Sequence, residues 1–92
     1  MTDLLAQRQI SHGCFIATAT ISQELKRIIR RGSLSDVQRE ALEAIAVKIA
    51  RILAGDPNHL DHWDDIAGYA TLVGMELRKK ERAARVIPSS PK

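Results

Sequence analysis

The stretch SDVQREALEAIAVKIARILAGDPNH, residues 35–59, decides the fold class. Ser35, followed three residues later by Gln38, forms the signature of a capping box at a helix start, and Gly55 supplies a helix stop. Between them apolar residues recur every three or four positions, which predicts an amphipathic helix over 36–54. Its apolar face carries Ala41, Leu42, Ile45, Ile49, Ile52 and Leu53.

A second helical pattern follows the turn residues 56–59. Pro57 cannot continue the preceding helix, so the chain reverses within a few residues. Helical periodicity then resumes over 61–84, and the two helices are expected to pack as an antiparallel hairpin. The apolar stripe that we expect to face the core consists of Trp63, Ile66, Ala70, Val73 and Leu77.

The chain before the hairpin predicts one more helix, over 14–31, with Gly32 as its stop. Its apolar positions are Ile21, Leu25, Ile28 and Ile29. The prediction is therefore an all-α fold with three main helices in a single domain, 1–86. Residues 87–92 hold two prolines and two serines and are expected to form a flexible tail. The one cysteine, Cys14, is expected to be a small core residue.

The length of 92 residues limits how much of the chain one domain can bury. With a single cysteine, no intrachain disulfide can add stability, so we expect self-association to complete the core. The third helix supports this expectation, because Leu72 and Met75 lie away from its main stripe and Gly68 and Gly74 allow close approach. A homodimer or a higher homo-oligomer would cover this second side.

The charge of the chain and its first residues indicate little about its partners or its cellular compartment. The formal net charge is +3, and the basic residues cluster toward the predicted ends of the first and third helices, where the helix dipole already favours cations. These basic ends nevertheless leave nucleic-acid binding open as one function, which predicts a steep salt dependence. The first residues show no signal-peptide pattern, and no apolar run approaches the ~18 residues of a membrane span, so we expect a cytoplasmic protein without membrane contact.

The densest functional cluster is HLDHWDD, residues 59–65. Acidic groups at a helix start are explained by capping and the helix dipole alone. A functional interpretation is that Asp61 and Asp65, one turn apart, hold a divalent cation. The hairpin would also bring Lys48 and Arg51 back toward Asp65. These charges then form either a structural salt-bridge clasp or a site in which the cations hold a phosphate.

Two further spacings suggest metal sites. Glu40 and Glu43, together with Asp61 and Asp64, resemble a four-carboxylate set, although both glutamates fall on the polar face of their helix. The pair His59 and His62 has an i, i+3 spacing that can bind zinc, but neither cysteine nor a third histidine lies nearby in the sequence.

The K-x-x-R of Lys48 and Arg51, the short turn after it, and the run DHWDDIAGYA over 61–70 resemble an uncharacterised family common in phages and prophages. A looser match to the front part of that family involves Arg8, His12, Gly13 and Phe15. The resemblance is strong over about a third of the chain.

The same helix is distantly similar to the last catalytic helix of MazG-like all-α nucleoside triphosphate pyrophosphohydrolases, whose E-x-x-D motif follows an E-x-x-E helix. Asp65 and Tyr69 fit that pattern, whereas His62 stands where the first glutamate is expected. The acids of the preceding helix are replaced by the Lys48 and Arg51 region. The resemblance implies a helical, oligomeric protein that binds a nucleotide with Mg²⁺ or Mn²⁺ and a degenerate metal site, and it leaves hydrolysis open.

The leading hypothesis is thus a small phage-type helical protein that binds a nucleotide or other phosphorylated ligand. The site residues would be Lys48, Arg51, Asp61, Asp65 and Tyr69, with Asp61 and Asp65 as metal ligands. The alternative is a non-catalytic interaction module that binds a host protein and uses Lys48 and Arg51 only to brace the third helix. Nucleic-acid binding through the basic helix ends ranks third.

Overall fold

Residues 2–89 form four helices in a computed structural model, which describes the side chains of 4–8, 10 and 12–85 within that range. The helices are α1 (Thr2–His12), α2 (Phe15–Ile29), α3 (Asp36–Ala54) and α4 (Leu60–Ser89). The prediction of an all-α fold is confirmed. In particular, α3 packs against both α2 and α4, as expected for the hairpin and the helix that precedes it.

The helix count differs from the prediction of three main helices, because α1 was not predicted. Its large described apolar side chains, Leu4, Leu5 and Ile10, are all exposed and form no continuous stripe, so hydrophobic periodicity does not predict this helix. A tertiary contact fixes its end instead: the hydroxyl of the buried Thr18 on α2 donates to the carbonyl of His12 at 3.0 Å.

The predicted bounds of α3, 36–54, are those observed, and α2 lies within the predicted 14–31. The capping box is present: the hydroxyl of Ser35 accepts from the Gln38 amide at 3.1 Å, and the Gln38 side chain accepts from the Ser35 amide at 3.0 Å. Helix α4 begins one residue before the predicted start and extends past residue 84 to Ser89. Of the predicted tail, residues 90–92 lie outside the described residues.

The junction between α1 and α2 lies against the end of α3. Gly13 has φ = 82°, and a Cβ placed there would be 2.6 Å from the carbonyl carbon and oxygen of Ala54. Glycine is therefore required both by the backbone conformation and by the close approach. Cys14 follows at the N-cap of α2 and is exposed, so the prediction that it belongs to the core is wrong.

The core is small. Among the described residues, the apolar side chains classed as buried are only three alanines of α3, namely Ala41, Ala46 and Ala50. The central helix therefore touches its neighbours through small side chains, and the larger apolar side chains stay half-buried or exposed.

Helix α4 turns a different face to α3 than its apolar pattern predicted. His62 is 1% exposed, and Ile66, Tyr69 and Val73 continue its face at half-buried positions. Of the predicted core stripe, Trp63, Ala70 and Leu77 are exposed, and that part of the prediction is wrong. Two contacts select the observed face: His62 packs against two other imidazoles, and the Trp63 indole N–H donates to the Pro57 carbonyl in the loop at 2.8 Å.

The molecule is elongated, with extents of 68 × 26 × 21 Å and a radius of gyration of 17.9 Å. A compact chain of this length would have a radius of gyration of about 12 Å. Helix α4 is longer than its partner in the hairpin: its 30 residues span about 45 Å, against about 28 Å for the 19 residues of α3. Among the described residues, none of the helices combines the length and apolar character needed to cross a bilayer.

Candidate functional site

Lys48 and Asp65 form an ion pair across the α3–α4 hairpin, with 2.9 Å between Lys48 Nζ and Asp65 Oδ2. The lysine side chain is 17% exposed and the aspartate side chain 47%. The hydrogen bond from Lys48 and its positive charge lower the pKa of the Asp65 carboxyl. The contact that both the clasp and the site interpretations require is thus present.

The other three predicted site residues lie in three different surroundings. The Asp61 side chain is 82% exposed, and its carboxylate lies 3.8 Å from Nε2 of His59. Tyr69 lines a shallow groove on α4 with Asp64, Asp65, Gly68 and Leu72. Arg51 lines a different cavity, on the α2 side of α3. Of the five predicted residues, Asp65 pairs with Lys48 and shares the groove with Tyr69. Arg51 lines the other cavity, but its charge also lowers the pKa of Asp65, whereas Asp61 lies beside His59.

A second cavity, of about 430 Å³, opens between α1, α2 and α3, and we call it the basic cleft. Its lining residues are Leu5, Arg8, His12, Gly13, Phe15, Thr18, Ala19, Ser22, Gln23, Lys26, Val47 and Arg51. Each of the three helices contributes one permanent cation: Arg8 from α1, Lys26 from α2 and Arg51 from α3. The described residues that line the cleft include these three cations and no carboxylate.

His12 lines the basic cleft and also contacts His62 of α4. Burial lowers the pKa of His12, and the neighbouring Arg51, His62, His59 and Arg8 lower it further. At neutral pH the His12 imidazole is therefore mainly uncharged.

Three imidazoles cluster behind the cleft, which the sequence did not predict. The ring centroid of His12 lies 4.7 Å from that of His62 and 5.6 Å from that of His59, and the last two are 4.6 Å apart. The His12–His62 contact is edge-to-face, at 86°. His12 of α1 is thus a third histidine beside His59 and His62, which the sequence around that pair lacks.

This cluster is not arranged as a metal centre. No group of three or more His, Cys, Asp or Glu side chains suited to hold a metal ion occurs among the described residues. The same finding applies to the four-carboxylate set of Glu40, Glu43, Asp61 and Asp64. A metal held by Asp61 and Asp65 alone stays a prediction, and it would have to compete with Lys48 for Asp65.

Sequence reasoning missed the basic cleft because its lining comes from three helices. A signal for it existed in the loose N-terminal resemblance, since Arg8, His12, Gly13 and Phe15 all line the cleft. Comparisons with known protein families, with curated proteins and with solved structures found no match to the chain.

Proposed function

We propose that this protein binds a nucleotide or another phosphorylated small molecule in the basic cleft. The observation that carries the proposal is the convergence of Arg8, Lys26 and Arg51 on one cavity whose described lining holds no carboxylate. A volume of about 430 Å³ falls within the range of about 300–1,000 Å³ typical of small-molecule pockets.

The side chains suit the parts of such a ligand. Arginine guanidinium groups bind phosphate oxygens through paired hydrogen bonds, and Lys26 adds a compact charge. At the rim, Phe15 is 80% exposed and Leu5 is 64% exposed, which offers an aromatic and an aliphatic surface to a base. The ring at the rim favours a nucleotide over inorganic phosphate.

We also propose that the chain is related to the phage family and, more distantly, to MazG-like pyrophosphohydrolases. Hydrolysis of that kind needs several carboxylates to hold Mg²⁺ or Mn²⁺ against the phosphates. The described lining of the basic cleft offers none, so the geometry supports binding and gives hydrolysis no residues there. We assign Lys48 and Asp65 the bracing role of a clasp between α3 and α4.

We also propose that the chain self-associates, as its small size suggests. Support comes from the core, in which only alanines are buried among the described apolar side chains, and from the many large apolar side chains left exposed. A single domain with so little buried apolar surface gains stability from a partner.

Calorimetric titration of the purified protein with nucleoside mono-, di- and triphosphates tests the ligand proposal, with the matching nucleoside and orthophosphate as controls. The phosphorylated nucleosides should bind, and the nucleoside without phosphate should not. Each titration is run with and without Mg²⁺. If none of the phosphorylated compounds binds, the proposal is refuted, and the non-catalytic interaction module becomes the better hypothesis.

Binding of a single-stranded oligonucleotide with a steep salt dependence, together with no binding of mononucleotides, would instead favour the nucleic-acid function.

A further inference from the structure

An apolar stripe runs along an exposed side of α4, about a quarter turn from the face that contacts α3. Leu60 is 66% exposed, Trp63 51% and Leu77 48%, and the positions between them on this stripe are small. The stripe consists of Leu60, Trp63, Ala67, Ala70, Gly74 and Leu77. Their spacing alternates three and four residues, which is the repeat of a helix that packs along a second helix.

We propose that two copies of this chain pair through this stripe, with their α4 helices antiparallel. The inference rests on the proposed self-association and names its surface and its register. It places the partner on this stripe and not on the Leu72 and Met75 side that we expected from the sequence, because the stripe residues expected in the core are exposed. Two-fold symmetry requires the stripe to be complementary to itself, because every contact between two different residues of the two copies occurs twice in the dimer.

One antiparallel register satisfies this requirement. Placing Ala67 opposite Ala70 of the partner subunit puts Trp63, the largest side chain, opposite Gly74 of the partner subunit, the smallest. The same register puts Leu60 opposite Leu77 of the partner subunit at both ends. Large side chains thus face small ones or aliphatic ones, and the alanines at the centre let the helices approach closely.

The surroundings of Gly74 fit an incoming indole. The three atoms nearest to a Cβ at residue 74 would all belong to the guanidinium group of Arg78, with its two terminal nitrogens each at 3.4 Å, so the closest neighbour of that space is a flexible side chain. The Trp63 ring of the partner subunit would stack on that guanidinium, which is a favourable cation–π arrangement.

The exposed area agrees with one partner of this size. The accessible surface is 6891 Å², whereas a compact monomer of 10.2 kDa exposes about 5,300 Å². Two copies that each bury this excess of about 1,600 Å² would form an interface of about 3,200 Å² in total, which lies within the range of about 2,000–5,000 Å² for obligate homodimers.

The test compares two leucines of α4 that are both exposed but lie on different sides. Leu77 belongs to the stripe, and Leu72, 60% exposed, lies on the groove side with Asp65 and Tyr69. Sedimentation equilibrium should show a wild-type dimer. Leu77→Glu should raise the dimer Kd by at least about 100-fold, because a symmetric dimer loses the leucine from both copies. Leu72→Glu should change the dimer Kd by less than about twofold.

Gly74→Glu serves as a second variant that does not act through unfolding. Replacing glycine within a helix favours the helix, and the introduced carboxylate lies one turn before Arg78, which adds an i, i+4 ion pair. The new side chain also fills the space for the indole. This variant should therefore be monomeric as well, with unchanged or higher helicity by circular dichroism.

The single tryptophan, Trp63, gives an independent readout of the same interface. Its emission should shift to shorter wavelength as the wild type dimerises, because the indole leaves water for the partner's surface. The emission of Gly74→Glu should not shift over the same range of protein concentration.

A wild type that is monomeric at all concentrations would overturn both the self-association and the surface. A dimer that survives both Leu77→Glu and Gly74→Glu would overturn the α4 stripe while self-association stands. Dissociation by Leu72→Glu alone would place the interface on the opposite side of α4 and would equally overturn this proposal.

Discussion

The carbonyl carbon of Ala54, at the end of α3, lies 2.6 Å from the point that a Cβ of residue 13 would occupy. This approach places the α1–α2 junction on the end of α3 and brings His12, the preceding residue, to the imidazoles of His59 and His62. The basic cleft and the histidine cluster therefore both depend on glycine at position 13.

Gly13→Ala should destabilise the protein. The positive φ alone costs a side chain about 1–3 kcal/mol, and the contact with the backbone of Ala54 adds to that. Chemical denaturation should show the loss in the free energy of unfolding. Gly68→Ala is the matched control, because a Cβ there has nothing within 4 Å and a helical glycine-to-alanine change gains up to about 1 kcal/mol. Equal stability of the two variants would contradict the observed junction.

Lys26→Ala should weaken binding of a nucleotide by about 10- to 100-fold, because one charge-assisted hydrogen bond contributes about 1.5–3 kcal/mol. Arg27→Ala is the control: the two cations are adjacent in the last turn of α2, but only Lys26 lines the basic cleft. Calorimetric titration of both variants gives the comparison. If Arg27→Ala loses as much affinity as Lys26→Ala, the ligand binds elsewhere.

Nucleotide affinity should rise as the pH falls, through His12. Its pKa lies below the ordinary value of 6.5 because of burial and the nearby Arg51, His62, His59 and Arg8, so the unliganded cleft holds a neutral imidazole. A bound phosphate favours the imidazolium, and binding therefore takes up a proton. The ligand titrates as well, so the measurement is the difference in the pH profile of Kd between the wild type and His12→Gln. Superimposable profiles would exclude this role for His12.

Without ligand, the same lowered pKa predicts the opposite trend for stability. Below pH 6.5 the unfolded chain binds a proton at His12 more readily than the folded chain does, so the stability that the neutral imidazole contributes is lost as the pH falls through this range. The free energy of unfolding of the wild type should fall more than that of His12→Gln between neutral pH and the acid range. A larger fall in the variant would contradict the predicted sign.

Asp65→Asn should cause a small loss of stability at neutral pH without changing nucleotide affinity, if the Lys48–Asp65 pair has the clasp role that we propose for it. Lys48 lowers the pKa of Asp65, so the contribution of the pair is present above the ordinary carboxyl pKa of 3.8 and disappears as the pH falls through the lower, folded-state value. Thermal denaturation over a pH series measures it, with the neighbouring Asp64→Asn as control. A loss of nucleotide affinity with unchanged stability would make Asp65 a site residue instead.

Local features were predictable from the sequence because their interactions lie within one helical turn. The capping box of Ser35 and Gln38 and the helix end at Gly55 determine the bounds of α3 through hydrogen bonds between residues three or four apart. The ion pair of Lys48 with Asp65 followed as well, since the short loop around Pro57 allows the two helices only an antiparallel arrangement.

The sequence by itself thus determined the helical class, the hairpin and one of its cross-helix contacts. Tertiary structure alone decided which face of α4 is buried, because that helix carries more apolar positions than a single neighbouring helix can cover, and His62 rather than Trp63 is buried. It also decided the basic cleft and the histidine cluster. Those join residues from helices far apart in the chain, and their proximity depends on how the helices pack rather than on any local pattern.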